Sequence, residues 1–127
     1  MQKIELTKIS GKDDPRGEIF NLSLPAKGVI NIQTTKKGYG RGGHSHSYNE
    51  TFLVITGKVE YHTGIISKER IITFGPGSVI QTTPKEPHYL VAKKFSVLIE
   101  IRPSGTKYKA KNYEPYRSRV LKLMDGY

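Results

Sequence analysis

The sequence has no cysteine, and that absence closes several routes at once. Disulfide scaffolds, zinc–thiolate sites, iron–sulfur clusters and thiol nucleophiles are excluded. Any metal must be held by histidine, aspartate, glutamate or other oxygen ligands. Long apolar runs are missing too, since nothing approaches the roughly 20 residues of a membrane span. The opening segment Met1-Gln2-Lys3-Ile4-Glu5 has no apolar signal stretch. The expected location is therefore the cytoplasm, with no membrane partner. The Asn-x-Ser/Thr sequons at Asn21 and Asn49 are then chance matches. Acidic residues are also scarce, 11 against 21 lysines and arginines, for a net charge of +10. Such a field attracts anions: nucleic acid, phosphorylated metabolites, acidic lipid or acidic polysaccharide.

What is present fits one folded domain. The length of 127 residues is the usual size of a single core. An apolar fraction of 35%, with 13 glycines besides, argues against a disordered chain. Val29 to Thr34 alternates apolar and polar residues, as a half-buried strand does. Lys36 to Gly43 reads as a loop with four glycines. Further strands are expected at Thr51–Thr56, Val59–His62, Arg70–Phe74, Val79–Thr82, Tyr89–Ala92 and Phe95–Ile101, separated by glycine and proline. That rhythm predicts a sandwich or barrel. The stretch Lys3 to Leu24 reads as an extra pair of strands or an arm. A helix is expected only at the end, with Pro115 in its first turn, an apolar stripe of Val120, Leu121, Leu123 and Met124, and Gly126 as the stop.

Four histidines carry the most information. His44 and His46 are spaced i, i+2, which in a strand puts both rings on one face. Glu50 shares that parity, and Phe52 and Val54 would extend the face inward. His88 opens a later strand after a proline turn and offers a third imidazole. Three neutral imidazoles and a carboxylate suit a divalent ion of the Mn, Fe, Co, Ni or Zn group. His62 has no such company and reads as a structural histidine. Gly38-x-Gly40-x-x-Gly43 matches a dinucleotide pattern but leads into the histidine-bearing strand rather than a helix, so it reads as a turn.

The run Gly38-x5-His44-x-His46-x3-Glu50-x6-Gly57 resembles the complete first motif of the cupin superfamily. The second motif is represented by Gly77 and His88 at matching spacing, with Thr83 in place of its proline, Lys85 in place of its second glycine and Ala92 in place of its asparagine. The resemblance covers roughly Val29 to Pro103. It implies an all-β jelly-roll barrel, the cupin double-stranded β-helix, with His44, His46, Glu50 and His88 as metal ligands. The expected organisation is one domain over 1–127: a barrel core of about 29–103, an N-terminal arm 1–28 and a basic C-terminal extension 104–127 with a short helix. Asp14-Pro15-Arg16-Gly17 and Arg41-Gly42-Gly43-His44-Ser45-His46 are similar to segments of cupins acting on nucleotide sugars: dTDP-sugar 3,5-epimerases, dTDP-sugar ketoisomerases and the cupin domain of a capsular-polysaccharide biosynthesis reductase. In the first two groups the matching histidine works as a base without metal. The Glu50-Thr51-Phe52 continuation is most similar to the metal-bearing pattern.

These readings predict a metal-binding cupin acting on a small oxygen-rich or anionic substrate, with sugar or sugar-nucleotide isomerisation or epimerisation as the leading reaction. Iron-dependent dioxygenation and a non-catalytic sugar- or metal-binding module are the alternatives. Tyr48 and Glu100 are the candidate proton-transfer residues, and Arg41, Tyr61 and Arg102 the candidate substrate contacts. Glu100 interrupts an apolar run, so it needs either a raised pKa or pairing with Arg102 or a lysine. A homodimer is expected from the same resemblance. The basic tail, with Tyr108, Tyr113 and Tyr116, reads as a solvated face or packing segment rather than a nucleic-acid surface, since no nucleic-acid module accompanies it.

Overall fold

The structure is a computed structural model that describes residues 5–23, 29–103 and 109–125. Eleven strands and one α-helix follow in order: β1 Glu5–Lys8, β2 Ile19–Ser23, β3 Val29–Thr35, β4 Gly40–Ser45, β5 Thr51–Thr56, β6 Val59–Thr63, β7 Arg70–Phe74, β8 Val79–Gln81, β9 His88–Ala92, β10 Ser96–Arg102, β11 Lys111–Asn112 and α1 Tyr116–Asp125. They form two antiparallel sheets, β1-β2-β3-β10-β5-β8 and β11-β4-β9-β6-β7. The all-β expectation with a short C-terminal helix therefore holds. The N-terminal stretch resolves to a strand pair: β1 lies on β2, and β2 on β3, inside the first sheet. Leu24, Lys107, Tyr108 and Gly126, on which parts of the sequence reading fell, lie outside the described residues.

Apolar side chains from the two sheets meet between them. Phe52, Val54, Ile80 and Leu98 come from the first, and Val59, Tyr61 and Leu90 from the second. The second sheet is also covered from outside. Tyr116 and Val120, one helical turn apart, pack on Tyr89, and the Tyr116 hydroxyl donates to the Gly64 carbonyl at 2.6 Å. This explains why β9 is buried along most of its length: His88, Leu90 and Ala92 face the barrel while Tyr89 and Val91 face the helix. Of the expected helical stripe Val120 is buried and Leu123 and Met124 are half-buried, but Leu121 is exposed, and Tyr116 joins Val120 in the seam. Pro115 stands just ahead of the helix, its carbonyl accepting from the Arg119 N–H.

Two further corrections concern the site. The segment Lys36–Gly43 is not all loop, because β4 begins at Gly40. Nor do His44, His46 and Glu50 share one regular strand: β4 stops at Ser45, a loop carries His46 to Glu50, and β5 starts at Thr51. A bulge precedes the first histidine. Gly42 pairs with Tyr89 and His44 with His88, leaving Gly43 as the extra residue. Gly42 and Gly43 hold φ of +99° and +85°, which other residues resist. The bulge has a direct consequence for parity. Arg41 and His44 would point to opposite faces of a regular strand, yet both line the same interior cavity.

Candidate metal centre

The inward end of β4, the loop behind it and the start of β9 bring His44, His46, Glu50 and His88 together. Their ligating atoms all lie within 4.8 Å of one another. His46 Nε2 is 2.8 Å from Glu50 Oε1, and His88 Nε2 is 3.8 Å from the same oxygen. Glu50 is 2% exposed and His88 4%. The rings are aimed from behind. His46 Nδ1 lies 2.8 Å from the Lys109 carbonyl and His88 Nδ1 3.3 Å from the Glu86 carbonyl. A carbonyl only accepts, so each Nδ1 carries the proton and each Nε2 turns to the cluster, the arrangement metal-ligating histidines use. The loop is tied down as well: Lys85 N–H donates to the His46 carbonyl at 2.5 Å, and Glu50 N–H to Thr82 Oγ1 at 2.8 Å. Lys85 has φ +66°, a conformation natural to glycine, at the position where the second cupin motif has one.

Electrostatics favour neutral rings at His44 and His88 beside an ionised Glu50. Burial, aided by the neighbouring His88 and His46, lowers His44 to about 3. Burial also lowers His88. His46 moves the other way: burial opposes its charge, but hydrogen bonds to Glu50 and the Lys109 carbonyl outweigh it. Glu50 is lowered to about 2 because its partners, His46 and Glu100 foremost, overcome the cost of burial. Three converging imidazoles and one carboxylate, all buried but the half-buried His44, are a donor set that fits a divalent transition ion.

The cluster forms one wall of a cavity of about 430 Å³. Arg16, Arg41, Arg102 and Arg117 line it, with Glu100, Asn31 and Gln33. Arg41 is braced by Thr35 Oγ1 and the Thr34 carbonyl, both at 2.8 Å. Burial, with the charge of Arg16 nearby, lowers it to about 10. Glu100 realises both halves of its expectation. Its Oε1 is 3.6 Å from Arg102 Nε, yet burial and then the Glu50 carboxylate push its pKa up to about 9. Of the remaining predicted residues, Tyr61 stacks on His88 with ring centroids 5.9 Å apart. Tyr48 packs against the His46 ring at 4.9 Å, and its hydroxyl accepts from the Lys109 N–H at 3.3 Å. His62 is structural: its two nitrogens sit 2.7 Å from Glu69 and 2.8 Å from Glu60, and its ring stacks on Tyr89. Tyr113 and Tyr116 of the tail pack on each other, with Tyr116 against Tyr89.

Sequence reasoning missed Asn31, Gln33, Arg16 and Arg117 as cavity residues. The polar positions of β3 carried a usable signal, and so did the Asp14–Gly17 segment that holds Arg16. Arg117 carried none, because only the docking of α1 brings it to the cavity.

No protein-family model matches the chain. No curated protein matches it either. Solved structures do. The capsular polysaccharide assembling protein CapF from Staphylococcus aureus aligns with TM-score 0.69 at 21% identity, over 87% of this chain and 32% of its own. An iron(II) form of HppE aligns with TM-score 0.65 at 17% identity, over 78% of this chain and 56% of its own. The cupin domain of CENP-C from Drosophila melanogaster aligns with TM-score 0.63 at 18% identity, over 78% and 76%. This chain thus spans about a third of the length of CapF. The fold is that of the cupins. Among the described residues no helix is long and apolar enough to cross a membrane.

Proposed function

We propose that this cupin-fold chain is a metal-dependent isomerase or epimerase of a sugar or sugar nucleotide. The observation that carries the reading is the cluster of His44, His46, Glu50 and His88 opening onto a cavity lined by four arginines. A divalent ion held by those four residues would supply Lewis acidity beside a substrate carbonyl. The chain's own residues supply the rest. Arg16 and Arg41, each braced by other groups, hold the substrate's anionic part. Glu100 stands in the same cavity as the group that takes up and returns a proton. Phe52 and Leu90 add apolar lining to the cavity. The likeness to the capsular polysaccharide assembling protein CapF supports carbohydrate chemistry, in agreement with the Arg41–His46 segment.

Incubation of the manganese-loaded protein with dTDP-sugars and free sugars in deuterated water, followed by NMR, tests the proposal. Exchange of a carbon-bound proton beside the carbonyl, reduced by Glu100→Gln, is expected. The likeness to iron(II) HppE supports oxidative chemistry as the second reading. Oxygen consumption with the iron-loaded protein, without any proton exchange, would replace the first reading by the second.

A further inference from the structure

The face of β3 that points into the barrel is polar. Asn31, Gln33 and Thr35 are buried there, while Ile30 and Ile32, the apolar half of the alternation, are only half-buried on the other side. Thr35 has a partner within the protein, since its hydroxyl accepts from Arg41 Nε. Asn31 and Gln33 line the cavity at 6% and 7% exposure. Gln33 donates from Nε2 to Glu100 at 2.7 Å. The two amide oxygens, Asn31 Oδ1 and Gln33 Oε1, are buried and accept no hydrogen bond among the described residues. A buried acceptor left unsatisfied costs about 1–3 kcal/mol, and folded proteins keep few of them. Two on one strand, both on residues that line one cavity, ask for donors from outside the chain. Alcohol hydroxyls are such donors, and carboxylates, phosphates and hydrocarbon are not. The cationic side of the cavity has the opposite preference. Asp14 holds Arg16 at 2.9 and 2.8 Å, so that guanidinium is fixed in place near Arg41 to receive an anion.

We propose that Asn31 and Gln33 are specificity-determining residues which accept the hydroxyls of a polyhydroxylated organic anion whose acidic group rests on Arg16 and Arg41. The inference rests on the cavity being the substrate site, as proposed above. It adds what the substrate carries and which residues read it. The Asn31 side chain makes no hydrogen bond to Glu100 among the described residues and Gln33 meets Glu100 only through Nε2, so the two amide oxygens act as binding determinants.

Calorimetric titration of the full manganese-loaded chain tests this with three probes: D-gluconate, hexanoate of equal carbon number and charge, and uncharged D-glucitol. Gluconate is expected to bind at least about tenfold more tightly than hexanoate, because a site built to bond hydroxyls rejects the analogue that lacks them. It should likewise exceed glucitol. Asn31→Leu and Gln33→Leu should each lower gluconate affinity about tenfold while leaving hexanoate unchanged. Ligand-free Asn31→Leu should melt at or above wild type, since an unsatisfied buried acceptor has been removed. Equal binding of gluconate and hexanoate by wild type overturns the proposal, and so does no binding of any probe. A preserved gluconate preference in the leucine variants, with lowered melting temperatures, gives the amides to the fold and also overturns it. Metal content measured on the same samples separates the two claims. Gluconate preference without bound metal removes the isomerase reading and leaves this one, and bound metal without the preference does the reverse.

Discussion

Replacing Gly43 by alanine should damage both the fold and the site, and the structure sets the size of the effect. A Cβ at Gly43 would stand 2.6 Å from Arg117 Cα, 2.8 Å from Arg117 N and 3.1 Å from the Tyr116 carbonyl carbon. These are backbone atoms of α1, so no side chain can rotate aside, and the helix must lift. The residue also holds φ +85°, where a non-glycine residue costs roughly 1–2 kcal/mol. Overpacking adds roughly 1–3 kcal/mol, for a total of about 2–5 kcal/mol. For a domain of this length each kcal/mol moves the melting temperature by about 4 °C, so a fall of roughly 8–20 °C is expected. Gly11→Ala is the control, because nothing lies within 4 Å of its Cβ position; it should stay within about 0.5 kcal/mol. Thermal unfolding followed by far-UV circular dichroism gives the numbers. The near-UV tyrosine signal reports whether Tyr116 leaves its seat. The same bulge aims His44, so metal uptake should fall as well. A Gly43→Ala protein that melts with wild type and retains its metal would refute the bulge argument.

Leu98, fully buried between the sheets, should cost about 2–5 kcal/mol as alanine, read as a lower urea midpoint at unchanged m; a loss below half a kcal/mol would show that this position is not core. Lys85→Gly should stabilise the protein by about 1 kcal/mol or less, since relief of the left-handed strain exceeds the added chain entropy. Urea unfolding checks the sign, and a destabilised variant contradicts the strain argument. Glu100 supplies the pH dependence. Its pKa rises from 4.5 to about 9 on folding, so its contribution to stability is complete below the lower value and drains away as pH climbs through the upper one. In chelator-treated protein, Glu100→Gln should therefore gain on wild type between pH 5 and 9. Parallel melting curves across that range would contradict it.

Much of the molecule was legible in the sequence, for identifiable reasons. Strands with β-branched runs bounded by glycine and proline, such as Thr51–Thr56 and Arg70–Phe74, follow from local chemistry and appear where expected. The four metal candidates were legible because spacing within a motif survives whatever the chain does between them. Their route was not, since strict parity assumed one strand where a bulge and a loop intervene. Alternation in β3 marked a half-buried strand but not which half faces inward. Apolar residues usually claim the interior, yet here the polar Asn31, Gln33 and Thr35 take the inward face and Asn31 and Gln33 line a cavity. Tyr116 joins the helix seam and Leu121 stays exposed because the ring contacts of Tyr116 with Tyr89 and Tyr113 are tertiary features that helical spacing does not carry.

The central claim is that His44, His46, Glu50 and His88 form a metal site. Elemental analysis of the purified full chain tests it most directly, alongside a His44→Ala/His88→Ala double variant whose folding is checked by circular dichroism. About one divalent transition ion per wild-type chain is expected, and almost none in the folded double variant. Sub-stoichiometric metal in wild type, or a content the two substitutions leave unchanged, would contradict it.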